Sequence, residues 1–355
     1  MKLNFLNLIP SAITIIYVTY GSWFLIKEIF CSILPFTVIF TAAIVCLLVV
    51  LRVPPPEPSA VEAVLGKDPH LETTSNDYVM KTVAHRGAGL DAPENSLAAF
   101  KLCNQKGCDA IEFDVCLTKD GVPIVFHDNT LERMANSNLI VGDTTWEDLA
   151  NIDISVNHSQ KERFVNTKIP TLEQTVQQLL TDGQRMFIDI KDNNYKMVGV
   201  IQELFKKYPE LVSRAVVTSF FPNIIYWIRR GNPEIVGSLS YRPYAFSRDS
   251  FKYPEGKGNK RTEAVFKYYL LCSLDALLAW AVPRIIYYIL GLSTILLHKD
   301  AISGEVILDW RDKGVRVIAW SVNSPIEKQH LARNLKISYL TDTLTGETTV
   351  HNAPS

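Results

Sequence analysis

The sequence predicts an α/β chain: a TIM (β/α)8 barrel with a small hairpin insertion after its second strand, carried behind an N-terminal transmembrane segment. Three observations predict it. Eight short runs rich in Val and Ile recur after residue 78, amphipathic stretches separate most of them, and a long charge-free run precedes them all.

The charge-free run extends from Ile29 to Leu51. It exceeds the ~20 residues that cross a ~30 Å hydrocarbon core, so residues 29–51 are predicted to span a membrane. Leu3 to Ile26 is also uncharged, but Asn4, Asn7, Pro10 and Gly21 interrupt it, leaving a second span or an interfacial helix open. A cleaved signal peptide has an apolar stretch of only ~7–15 residues, which favours an anchor over residues 1–52. Pro54, Pro55, Pro56 and Pro58 follow Arg52 and predict an extended linker over residues 53–77. The catalytic domain is then expected over residues 78–345.

Within that domain the strand candidates are 79–84, 110–115, 186–190, 215–219, 234–240, 293–297, 315–320 and 338–340. Helical patterns fall at 95–104, 172–180, 197–207, 222–229, 303–312 and 325–334. A doubly wound open sheet is the alternative, weakened because no Gly-rich phosphate loop follows the first strand. Asp120-Gly121 signals a hairpin turn, with Val122 to Phe126 as the return strand. Between strands five and six an unusually apolar segment, residues 264–292, is split by Pro283. Neither arm is long enough to span, and a single crossing would separate strands six to eight from strands one to five. A membrane-associated hairpin that enters and leaves on one side is therefore expected, with a buried core hairpin as the alternative.

The formal net charge of −1 and the lack of a dense Lys/Arg block exclude a nucleic-acid partner. Six cysteines show no C-x-x-C pair, which argues for free thiols over a metal finger or a disulfide.

The polar residues that matter sit at strand ends. His85 and Arg86 follow the first strand. Glu112 and Asp114 are spaced i, i+2 on the second, so both carboxylates share one face. Two such acids repel unless a cation lies between them. Oxygen-only ligation suits a hard divalent metal, Mg²⁺ or else Ca²⁺, over Zn²⁺. Asp189 and Lys191 repeat the spacing on the third strand, and His127-Asp128 ends the hairpin. Singly, each has an ordinary explanation: a structural histidine, a solvated acidic face, a surface ion pair. Their conjunction at successive strand ends does not.

The consecutive motifs His85-Arg86-Gly87, Pro93-Glu94-Asn95-Ser96, Glu112-Phe113-Asp114, Thr118-Lys119-Asp120-Gly121 and His127-Asp128-Asn129-Thr130 resemble those of the glycerophosphodiester phosphodiesterase family. The likeness continues through Asp189-Ile190-Lys191, Ser219-Phe220, Trp320-Ser321-Val322-Asn323 and Thr341-Asp342, and so spans residues 79 to 342. The resemblance implies a divalent metal held by Glu112, Asp114 and Asp189, with His85 and His127 as acid and base. It implies Arg86 and Lys191 on the substrate phosphate. The expected reaction is hydrolysis of a glycerophosphodiester, such as glycerophosphoinositol or a glycerophospho-N-acylethanolamine, to glycerol 3-phosphate and an alcohol. Many soluble members have Glu where this sequence has Asp189, a departure that bears on metal preference.

Glu94 reads as an accessory ligand, as an anchor for His85 or Arg86, or as a first-turn helix carboxylate. Trp320 reads as a pocket wall or a core aromatic. His158, His298, His330 and His351 lie outside the catalytic motifs and are read as non-catalytic. The rival functions are a lysophospholipase D on lysophospholipid substrates and a non-catalytic membrane adaptor. Loss of a ligand or histidine would mark the adaptor, and none is lost. Asn157-His158-Ser159 is a glycosylation acceptor. It places the expected catalytic domain on the luminal or extracellular side of the plasma membrane or an endomembrane.

Overall fold

The chain's Val- and Ile-rich runs pair as parallel strands in a computed structural model that describes residues 8–71, 74, 77–252, 256–347 and 350. The eight strands are Thr82–Ala84, Ala110–Leu117, Arg185–Ile190, Ala215–Ser219, Val236–Tyr241, Thr294–His298, Arg316–Trp320 and Ser338–Thr341. Each pairs with its successor in chain order, and the first closes the ring by pairing with both the second and the eighth. This is the expected TIM barrel.

Strand periodicity sorts the side chains into two layers. Ile111, Phe113, Ile188 and Val217 point outward into the layer packed under the helices. Val83, Ala110, Phe187, Val216, Leu296 and Leu340 fill the barrel's floor. Two residues further along the same inward face, Phe187 gives way to Asp189, so the interior turns from apolar at the floor to acidic at the mouth.

The floor is sealed by a segment predicted otherwise. Within residues 53–77, expected as an extended linker, Pro58–Leu65 is instead a helix whose Val61, Val64 and Leu65 are buried against the floor cluster. Pro58 sits in its first turn, where a missing N–H costs nothing, so the proline that ends one pattern begins another. Gly66 ends the helix at φ 73°, and a Cβ there would stand 2.5 Å from the Tyr78 carbonyl oxygen. Val53 is buried and donates its N–H to the Ile289 carbonyl at 2.8 Å.

The segment expected to be an anchor, residues 1–52, is a separate unit whose described residues form one helix, Leu8–Leu51. Its Ile13–Leu51 portion is long and apolar enough to cross a membrane. Lys27 and Glu28 lie inside this helix without interrupting it, because both are good helix formers. Residues 3–7 of the shorter span candidate lie outside the described residues.

Two insertions exceed the sequence reading. After the second strand, Pro123–Val125 returns antiparallel with Val115 opposite Val125, as expected of a hairpin. The chain then continues through the short helices Glu132–Ala135 and Trp146–Leu149, which close over a satellite core of Ile124, Leu131, Leu149, Ile154 and Ile169. Between strands five and six the described residues form no apolar hairpin. The helix Val265–Ala281 runs through a π turn, Val282–Ile286, into Tyr287–Leu290. The wider turn takes up Pro283, whose missing N–H breaks an ordinary α ladder. A two-stranded ribbon, Phe251–Lys252 with Gly256–Lys257, precedes it. All six cysteines are free, with Cys103 and Cys116 buried.

Candidate active site

The barrel's parallel register builds the acidic centre. Asp114 stands opposite Asp189 on the neighbouring strand, and Glu112 shares the Asp114 face. One oxygen from each carboxylate lies within 4.8 Å of the others, and all three residues are buried. Asn95, held at φ 55°, donates from Nδ2 to Asp114 Oδ2 at 2.8 Å and accepts the Asp114 N–H at 3.1 Å.

Two cations face these acids. Lys191 Nζ lies 2.6 Å from Asp189 Oδ2 and 2.8 Å from Asp114 Oδ1, and Arg86 Nε lies 3.2 Å from Asp114 Oδ2. Burial would raise the Asp114 carboxyl, but Lys191 and Arg86 outweigh it and hold the group well below the usual range. Glu112 lacks such close cover. Burial, with the Asp114 charge added, pushes its carboxyl up to about 7. Burial likewise raises Asp189. Asp189 Oδ1 is buried with no hydrogen-bond partner. Three converging carboxylates, one with an idle buried oxygen, fit a hard divalent cation.

Each histidine is oriented by an aspartate. His85 opens a tight turn, His85–Gly87, in which Arg86 and Ala88 adopt positive φ. Gly87 is required there, since a Cβ would stand 2.7 Å from the Phe100 ring. His85 Nδ1 meets Asp342 Oδ1 at 2.5 Å, and Nε2 faces Glu112 Oε2 at 3.9 Å. Asn323 steadies Asp342, donating to its Oδ2 at 2.7 Å and accepting its N–H at 2.8 Å. Burial opposes protonation of His85, but the Glu112 and Asp342 carboxylates prevail and raise its pKa. His127 Nδ1 meets Asp128 Oδ1 at 2.6 Å, and Arg133 Nε donates to Asp128 Oδ2 at 2.7 Å.

Glu94 joins the two halves. It accepts from Arg86 Nη1 at 3.0 Å and from Arg133 Nη2 at 2.6 Å. It precedes the helix Leu97–Lys106, which Ser96 caps, so it is not a first-turn carboxylate. Of the earlier alternatives, an anchor for Arg86 is the one the geometry carries. Trp320 is half-buried, donates from Nε1 to the Leu296 carbonyl at 3.2 Å, and packs edge-on against Phe220 and His298. Phe251 of the ribbon extends this wall through His298, and Lys191 Nζ lies 5.9 Å from the Phe220 ring.

All nine sequence-predicted site residues lie around this mouth. Asp342, Asn95 and Asn323 stand in the sequence only as members of the family motifs, and the adjacency of Asp128 to His127 at the hairpin's end is the one signal of an orienting role. Arg133 carried no signal, since it lies in an irregular insertion and reaches the site only through tertiary folding. His158 Nε2 donates to the Gly89 carbonyl at 3.1 Å while its Nδ1 accepts the Gln160 N–H, and His351 lies outside the described residues.

Fold and site together define a (β/α)8-barrel hydrolase with a carboxylate centre suited to a divalent cation. The model of the glycerophosphoryl diester phosphodiesterase family matches residues 85–344. The chain belongs to that family, whose members hydrolyse glycerophosphodiesters. It is 34% identical over 265 residues to glycerophosphodiester phosphodiesterase 1 of Bos taurus, covering 75% of this chain and 78% of that protein. The Homo sapiens protein of the same name is 32% identical over 272 residues, with 77% and 80% covered. Among solved structures, the barrel resembles an Oleispira antarctica phosphodiesterase in complex with the product sn-glycerol-3-phosphate. That match has TM-score 0.59 and 20% identity, and covers 76% of this chain and 96% of that one. A glycerophosphodiester phosphodiesterase from Agrobacterium tumefaciens matches with TM-score 0.56 and 21% identity, over 74% and 96% of the two chains.

Proposed function

We propose that this chain hydrolyses membrane-derived glycerophosphodiesters, such as glycerophosphoinositol or glycerophospho-N-acylethanolamines, to glycerol 3-phosphate and an alcohol. The observation that carries the reading is three buried carboxylates flanked by two imidazoles, each tethered through Nδ1 to an aspartate. Glu112, Asp114 and Asp189 would hold the cation, with Mg²⁺ favoured over Ca²⁺. Bound there, the cation supplies positive charge against a phosphoryl oxygen.

The chain's own residues supply the rest. Arg86 and Lys191 neutralise the charge that builds on the phosphate in the transition state. The nucleophile's oxygen, from water or from the neighbouring glycerol hydroxyl, bonds to phosphorus as the bond from phosphorus to the alcohol oxygen breaks. One imidazole takes the nucleophile's proton and the other delivers a proton to the departing alkoxide. The aspartate on each Nδ1 keeps the Nε2 edge turned to the site.

A second reading, a lysophospholipase D, is supported by the wall of Phe220, Trp320, His298 and Phe251, which offers an apolar surface to an acyl-bearing alcohol. The apolar Ile13–Leu51 helix supports an integral membrane protein, and the Asn157 acceptor supports a luminal or extracellular catalytic domain.

The test is hydrolysis by the purified chain across glycerophosphoinositol, glycerophosphocholine, a glycerophospho-N-acylethanolamine and a lysophospholipid, with and without chelator. Activity should vanish with EDTA and return with Mg²⁺. His85→Ala and His127→Ala should each lower turnover by ~10²–10⁴-fold. Chelator-resistant turnover, or near-normal rates in either variant, would refute the reading.

A further inference from the structure

The helix Val265–Ala281 packs one side on the barrel and leaves the other bare. Phe266 is 84% exposed, Tyr269 66% and Leu277 58%, yet Val265–Leu290 has a mean hydropathy of 1.5. The exposed apolar positions form one face: Phe266, Tyr269, Leu270, Leu277 and Trp280 fall within an arc of about 100°, opposite the buried Asp275. One apolar face on a helix of this hydropathy suits the boundary between lipid headgroups and acyl chains, where a helix lies in the membrane plane with that face immersed. Asp275, the acidic residue within the helix, is turned inward. It accepts the N–H groups of Phe246 at 2.8 Å and Ser247 at 3.0 Å, and is buried.

Both ends of this helix belong to the barrel. Its first residues follow the loop that leaves the fifth strand at the mouth, and its last lead into the sixth strand. It cannot cross a membrane without tearing strands six to eight from strands one to five. At its far end Val53 donates to Ile289, and Val53 stands two residues after the close of the apolar helix Leu8–Leu51. At its near end Lys257, Lys260 and Arg261 are exposed, a basic fringe suited to lipid phosphates.

We infer that Val265–Ala281 lies within one leaflet of a lipid bilayer as a non-crossing element, holding the barrel mouth at the membrane surface. This rests on the membrane-anchored reading above but not on the catalytic one. Through Asp275 the immersed helix fixes the Phe246–Ser247 loop at the mouth. Phe251, which follows that loop, touches His298 and so continues the aromatic wall toward the lipid.

Trp280 gives a direct test in the full-length chain reconstituted into phospholipid nanodiscs. Trp23, which lies in the anchor helix, is first replaced by Phe. Lipids brominated at shallow or deep acyl positions then quench the remaining tryptophans. Because Trp280 is 49% exposed, Trp280→Phe leaves the barrel core untouched. The added substitution should remove at least half of the remaining quenching, with shallow bromines quenching Trp280 more than deep ones. Quenching indifferent to Trp280→Phe would overturn the proposal, and so would strongest quenching of Trp280 by bromines at the bilayer centre. Neither readout uses turnover, so failure here is distinct from failure of the catalytic assignment.

Discussion

A relay of charges runs from Arg86 through Glu94, Arg133 and Asp128 to His127, and the shorter Asn323–Asp342 pair serves His85. Both act on the imidazoles from behind. Asp342→Asn keeps the shape but removes the charge that holds His85 Nδ1. Steady-state kinetics should show kcat reduced, by no more than the ~10²–10⁴-fold of the proton transfer itself, with KM little changed. An equal effect on KM would point to a binding role instead. Glu112 makes a second prediction. Its carboxyl, raised to about 7 by burial and by Asp114, must lose its proton before it serves as an anionic ligand. Cation binding therefore releases a proton, and affinity weakens as pH falls through 7, by about tenfold per unit below it and little above. Titration calorimetry at pH 6 and pH 8 measures this, and equal dissociation constants would contradict it.

Among the elements, the floor helix Pro58–Leu65 carries weight out of proportion to its length. It buries Val64 and Leu65 against strands from around the ring. Leu65→Ala removes buried methyl groups where the closed barrel cannot collapse to fill the space. Denaturant unfolding should show a loss of about 2–5 kcal/mol, while activity of the folded fraction is preserved because the mouth lies at the opposite end. A loss below 0.5 kcal/mol would return residues 53–77 to the role of a linker.

At the scale of the whole molecule, Asn157 reports which side of the membrane the barrel faces. Asn157 is exposed, with its Nδ2 donating to the Arg133 carbonyl at 3.0 Å and to Asn136 Oδ1 at 2.7 Å. If the barrel faces the lumen, protein expressed in cells that glycosylate should lose a glycan to an endoglycosidase on gel electrophoresis, and Asn157→Gln should abolish that shift. Unglycosylated protein from such cells would argue against the luminal orientation.

The family resemblance grouped Glu112, Asp114 and Asp189 as ligands and His85 with His127 as acid and base, while periodicity and spacing were enough for the eight strand candidates and the polar residues at their ends. Each is a local pattern: alternation along a strand, an i, i+2 pair, a residue just past a strand end. Even Asp128 was visible by adjacency to His127. Only the tertiary structure decided the rest, because the deciding contacts join residues far apart in the chain. Asp342 reaches His85 across 257 positions when the eighth strand closes on the first. Arg133 meets Glu94 across 39, from an insertion without periodicity. Pro58 and Pro283 were read as breaks because proline lacks an N–H. One opens a helix and the other sits in a π turn, since packing against the floor and the barrel wall sets whether that missing bond is needed.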